Sequence, residues 1–208
     1  MPGKVAPLGM VTHAEHAHLG AAAATAGSTI YDGDQLSTEA EGLLRINCPN
    51  LTLHLEVQSM LTLRRSATTE DTVEADLASG TLAFSAARNG GISVVANDAL
   101  IRPAANAPTI AHIRVVNLKE LRIYAQRGAL EFSYHGESEV IAEGAAYRVL
   151  LDPSEKEVAA ASESEEAKKK PRKRHAKFLL LTIGTAVGVA IPVLMPHYES
   201  PDKPGPGP

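Results

Sequence analysis

The chain has 208 residues, 44% of them hydrophobic and 21% charged, with a formal net charge of −4. This length and balance call for one main folding unit with a packed core and exclude a collagen-like or low-complexity chain. One cysteine, Cys48, excludes an internal disulfide framework and an all-Cys zinc site, and aromatics at 4% with no Trp leave the core to Leu, Val, Ile and Ala.

Residues 1–25 have weak periodicity and read as a loose lead-in or a first edge strand. Ile30-Tyr31 then meets Asp32-Gly33-Asp34, a tight turn in which Gly33 takes positive φ. Leu43 to Cys48 reads as a strand with Leu44, Ile46 and Cys48 on one face, so Cys48 is a small buried hydrophobe. After the turn at Pro49-Asn50, Leu51, Leu53, Leu55 and Val57 alternate with Thr52, His54 and Glu56, a period of two. Leu61 and Leu63 continue it, and Arg64 to Asp71 is a polar loop.

Thr72 to Asp76 alternates, Ser79-Gly80 turns, and Leu82 and Phe84 face one way. Asn89-Gly90-Gly91 is a hairpin signal. Short strands follow over Ile92–Ala96, Ala99–Ile101, Ile110–Val116, Leu121–Ala125, Ala129–Tyr134, Glu139–Ala142 and Ala146–Leu151. The pattern predicts an all-β sandwich or roll of short strands over residues 26–152. It contains an internal echo: Gly80 to Ser85 recurs as Gly128 to Ser133, and Val94-Val95-Ala96 as Val140-Ile141-Ala142. Two copies of glycine, strand, turn, strand suggest a pseudo-repeat.

The charge is sorted along the chain. Residues 1–152 hold 11 Lys+Arg against 17 Asp+Glu. Residues 153–177 read as a charged linker: five glutamates and one lysine from Glu155 to Glu166, then seven cations in ten residues (Lys168, Lys169, Lys170, Arg172, Lys173, Arg174, Lys177). Phe178 to Met195 is 18 residues without a charge. As a helix this run extends about 27 Å, near the hydrocarbon thickness of a bilayer. The expected architecture is therefore a β-domain, the linker, one C-terminal transmembrane helix over 178–196, and a Pro- and Gly-rich tail over 197–208. Seven cations before the span and Lys203 after it place the β-domain on the cytoplasmic side of a bacterial inner membrane by the positive-inside rule, with a periplasmic domain as the alternative. Beside a span, the basic run contacts anionic lipid headgroups, and without aromatic residues it does not suit nucleic acid. Gly184 and Gly188, spaced as Gly-x-x-x-Gly, would allow a homodimer of such helices.

No residue pattern announces a reaction. His13, His16 and His18 lie within six residues, but no cysteine or carboxylate set of fixed spacing completes a metal site. Asp32 and Asp34 flank Gly33 like a fragment of a calcium loop, yet the remaining ligands are missing, and carboxylates bonding backbone N–H groups of the turn explain them. There is no Gly-x-Ser-x-Gly elbow, P-loop or dinucleotide fingerprint. The expectation is a protein that is not an enzyme, with no catalytic residue, metal or cofactor.

The segment from Gly27 to Leu63 resembles the FecR domain family. The resemblance lies in Gly33-Asp34, Leu36-Ser37-Thr38, and the strands Leu53-His54-Leu55 and Leu61-Thr62-Leu63, with later steps at Leu77 to Phe84 and Arg127 to Phe132. It covers about 125 residues, Ala26 to Leu151. It implies an all-β sensory or scaffold domain without catalysis, of a kind that often sits in the periplasm and relays a signal to a sigma factor through an N-terminal region. This sequence departs from that pattern: it has no N-terminal helical sigma-binding region, and its expected span follows the β-domain. The function expected is a membrane-anchored binding, scaffold or signalling module with a protein partner. The alternative is a ligand- or metal-sensing domain that regulates a partner such as a sigma factor or transporter.

Overall fold

Strict alternation of Leu, Ile, Val and Phe with polar residues builds strands that bury one face, and such strands must share a core. The computed structural model describes residues 6–67, 72–88, 91–153 and 177–185, and every regular element among them is a strand. In chain order these are β1 (Gly9–Leu19), β2 (Ala22–Ala23), β3 (Thr29–Ile30), β4 (Gln35–Cys48), β5 (Leu51–Leu55), β6 (Met60–Arg65), β7 (Thr72–Ala86) and β8 (Gly91–Ala96). Then come β9 (Ala99–Pro103), β10 (Thr109–Asn117), β11 (Glu120–Arg127), β12 (Leu130–Tyr134), β13 (Glu137–Ile141), β14 (Ala145–Leu151) and β15 (Phe178–Thr185). The described residues are all-β, as the period-two pattern requires.

β7 organises the molecule. Its first half pairs β6 on one side and β8 on the other, and its second half pairs β5 and β10. Two branches leave it, β8-β9-β12-β13 and β10-β11-β14-β15. They close on each other, with Phe132 of β12 set edge-on to Phe178 of β15 at 4.8 Å between ring centroids. Leu82, Phe84, Leu130, Phe132, Ile113 and Val149 are all buried in this one core. β4 and β1 extend the same network beyond β5 and β6.

The pairing of β7 with β8 is parallel, Thr72 opposite Gly91 through Asp76 opposite Val95. Asn89 and Gly90 lie outside the described residues, but the strands flanking them are not hairpin partners, which corrects the hairpin expected there. A straight strand of 15 residues would span about 50 Å, far more than the short link from Ala86 to Gly91 can bridge back. β7 must therefore bend. The bend falls at Ser79-Gly80, where Gly80 has φ +82° and a Cβ would lie 2.5 Å from Ser59 Cα. The expected turn is real, but it is a bend inside one strand.

The echo also dissolves. β12 and β13 form an antiparallel hairpin, whereas the first copy's strands, the second half of β7 and β8, do not pair with each other. What repeats is a positive-φ glycine, Gly80 and Gly128, before two buried side chains, Leu82 and Phe84 or Leu130 and Phe132. Among the described residues the two copies do not share a strand-pairing pattern.

Two boundaries move. Of the two readings of the lead-in, the first strand holds over Gly9–Leu19: β1 pairs along β4, and Leu8 and Val11 join the core. At the other end, Phe178–Thr185 is strand β15, paired antiparallel from Phe178 opposite Leu151 to Thr185 opposite Ala145. This corrects the helix expected to start at Phe178. An uncharged run rich in Leu and Ile suits either a buried strand or a buried helix, and periodicity alone does not separate them. No helix among the described residues is long and apolar enough to cross a membrane. The linker over 154–176 and the remainder of the expected span, 186–196, lie outside the described residues, as do the tail and Gly188.

Candidate polar face of the sheet

Because Leu44, Ile46, Leu53, Leu55, Leu82, Phe84, Ala111, Ile113, Ile123 and Ala125 point into the core, the residues between them line the opposite face of β4-β5-β7-β10-β11. The register then sorts that face into rows. One row runs His13, Arg45, His54, Ala83, His112, Tyr124, each opposite the next. The His112 and Tyr124 rings stand 6.0 Å apart, and a His112 ring nitrogen lies 3.4 Å from Gln126 Oε1. Burial, then the charges of Arg45 and His112, hold the His54 imidazole below its ordinary pKa. Arg45 Nε is buried with no hydrogen-bond partner among the described residues.

The next row is Thr81, Arg114, Arg122, Arg148, again each opposite the next, on β7, β10, β11 and β14. Glu120 is its carboxylate: Arg148 Nη2 donates to Glu120 Oε2 at 2.8 Å and Arg122 Nε stands 3.7 Å from Oε1. The hydrogen bond from Arg148 chiefly holds the Glu120 carboxyl below its usual range, against the opposing effect of burial. Like charges directly opposite in a sheet destabilise it. Two such pairs in series, on a β-domain that is acidic in sum, are not a by-product of composition. At the far end of the face, Asn47, Thr52, Ser85, Ile110 and Arg127 line an open, shallow cleft of about 370 Å³.

The residues singled out in the sequence fall elsewhere or serve the fold. His13 pairs with Glu15 at 3.2 Å and His18 with Glu39 at 2.8 Å, while His16 sits at φ +42° in a bulge of β1. No group of three or more metal-type side chains occurs among the described residues. Asp34 Oδ2 accepts the Tyr31 N–H at 2.8 Å and Asp32 Oδ1 the Arg65 N–H at 2.7 Å, so both carboxylates hold backbone around Gly33. Cys48 is buried, which pushes its thiol up to about 11. Of the basic run, Lys177 is described: its Nζ donates to His135 O at 2.6 Å. Gly184 lies opposite Ala146 in β15, so it is used in strand pairing rather than on a helix face. Arg45, His54, His112, Tyr124 and the arginine row were not candidates from sequence, because each is one polar residue in an alternating strand.

No protein-family model matches the chain. No curated protein matches it. Two crystal structures described as a "putative anti-sigma factor" from Parabacteroides distasonis are similar to it, each 12% identical and covering 56% of this chain, with a TM-score of 0.47. The match takes in 54% of the solved chain, so this chain spans about half the length of the protein it resembles.

Proposed function

We propose that the chain is a non-enzymatic, FecR-like β-domain acting as a binding module of a signalling or scaffold kind, and that it receives a protein partner on the face carried by β4, β5, β7, β10, β11 and β14. The observation that carries this reading is the cross-strand row Arg114, Arg122, Arg148. A sheet selected for stability alone would not oppose arginine to arginine twice, and local rules are broken where function requires it. Arg and Tyr are also the residue types that dominate protein interfaces, because the guanidinium fork and the phenol combine contact area with directed hydrogen bonds. Tyr124 stands one row from Arg122, on the same strand and face.

A photo-crosslinking residue at Tyr124 tests this in the cells that make the protein. The expected result is a discrete adduct of higher mass at Tyr124, absent when the same residue replaces Ser93 on β8 of the other branch. Equal adducts at both positions, or none at Tyr124, would contradict the reading.

The membrane anchor is not part of this proposal. Phe178–Thr185 stands in strand β15, and residues 186–196 of the expected span lie outside the described residues. A helical span over 178–195 and strand β15 are mutually exclusive states of the same residues.

A further inference from the structure

We propose that Arg45, His54 and His112 form a binding site for a phosphate group, on the same face as the partner surface but independent of that reading. The three lie in one cross-strand row: Arg45 is opposite His54, His54 opposite Ala83, and Ala83 opposite His112. Successive strands stand about 4.8 Å apart, so the two histidines flank Ala83 with about 10 Å between their Cα atoms. Ala83 carries only a methyl group and is half-buried, which leaves a recess open above it between the two imidazoles. His112 is held from the far side by β11, through Gln126 Oε1 at 3.4 Å from a ring nitrogen and the Tyr124 ring at 6.0 Å.

Arg45 is what points to a ligand. Its Nε is buried without a hydrogen-bond acceptor, and none of the ion pairs among the described residues includes it. A buried N–H left without an acceptor is costly and uncommon, more so on a cation. Glu15 on β1 is taken by His13 at 3.2 Å, and Glu56, two residues beyond His54, is exposed. The effects on His54 are burial, then Arg45 and His112; all disfavour its protonated form and no carboxylate offsets them. An anion seated beside His54 reverses that balance. One guanidinium fork satisfies a carboxylate, whereas N–H donors arriving from different strands suit a tetrahedral oxyanion. There is also room for a molecule that carries the phosphate. Asn47, Thr52, Ser85 and Ile110 stand two residues along from Arg45, His54, Ala83 and His112, and with Arg127 they line the shallow cleft.

The test is NMR of the histidine side chains in the purified full chain, titrated with sodium phosphate and separately with O-phosphoserine, at fixed pH and constant ionic strength. The His54 and His112 ring signals should move along a saturating curve, while those of His135 on the other branch stay in place. With phosphate saturating, a pH titration should show the His54 pKa raised. Arg45→Gln should weaken binding about tenfold, the loss of one hydrogen bond to a charged group. Ala83→Ile covers the recess with a side chain that suits a strand and changes no charge, so it should weaken binding as well, and it decides alone if Arg45→Gln does not fold. Saturation by both compounds assigns the site to a phosphate group on a larger molecule, and saturation by inorganic phosphate alone assigns it to the free ion. Shifts that never saturate, that sodium acetate reproduces, or that survive both substitutions would overturn the inference. The Tyr124 crosslink reports the protein partner and stands or falls separately.

Discussion

Arg122 lies between two other arginines, opposite Arg114 on one side and Arg148 on the other. Each like-charge pair is destabilising. Arg122→Gln removes both repulsions and leaves the stronger Arg148–Glu120 contact intact, so the variant should melt higher than the parent at low salt. The gain should shrink as salt is added, and a lower midpoint would mean that Arg122 is a structural pair for Glu120. His54 makes the second prediction. Its imidazole is held below the ordinary value of 6.5, so the unfolded chain binds the proton more readily. Stability is then complete above about pH 6.5 and falls as pH drops from there through the lower folded value. Denaturant midpoints measured across pH 7.5 to 5 should show this loss, and His54→Gln should lessen it. These residues were invisible in the sequence for a physical reason. Alternation marks His54, Arg114 and Arg122 as facing away from Leu55, Ile113 and Ile123, but only the register sets them beside one another.

β7 and β15 show where local pattern stops deciding structure. The alternation in Thr72 to Asp76 and in Leu82 and Phe84 identified the buried face of β7 on both sides of Ser79-Gly80. That one strand continues through the bend depends on β5, β6, β8 and β10, which pair with it from elsewhere in the chain. Gly80 has positive φ, and Ser59, buried and bonded to Thr81 N–H at 2.8 Å, occupies the space of its missing side chain. Gly80→Ala should therefore destabilise by about 1–3 kcal/mol, well beyond an ordinary glycine-to-alanine change, since strain and collision act together. Thermal denaturation of that variant checks it, and a parent-like midpoint would mean that β7 does not bend there. In β15 the ambiguity was of another kind. FLLLTIGT carries no charge and no clear alternation, so its state is set by the edge of β14 and the contact of Phe178 with Phe132.

One core cluster reaches from Leu8 to Phe178, so the first and last described strands belong to one unit. Composition and alternation made the all-β class legible. The limits of the unit were not legible, since β1 and β15 lack the alternating leucines that marked β5 and β6, and each is defined by its partner, β4 or β14. The central claim is that residues 178–185 complete the sheet along the edge of β14. Amide hydrogen exchange of the full chain in detergent-free buffer tests this most directly. Amides of 178–181 that face β14 should exchange as slowly as those of Leu82 and Phe84, with the same dependence on denaturant. Exchange of the whole 178–185 segment at the rate of an unstructured peptide, while Leu82 and Phe84 stay protected, would contradict it.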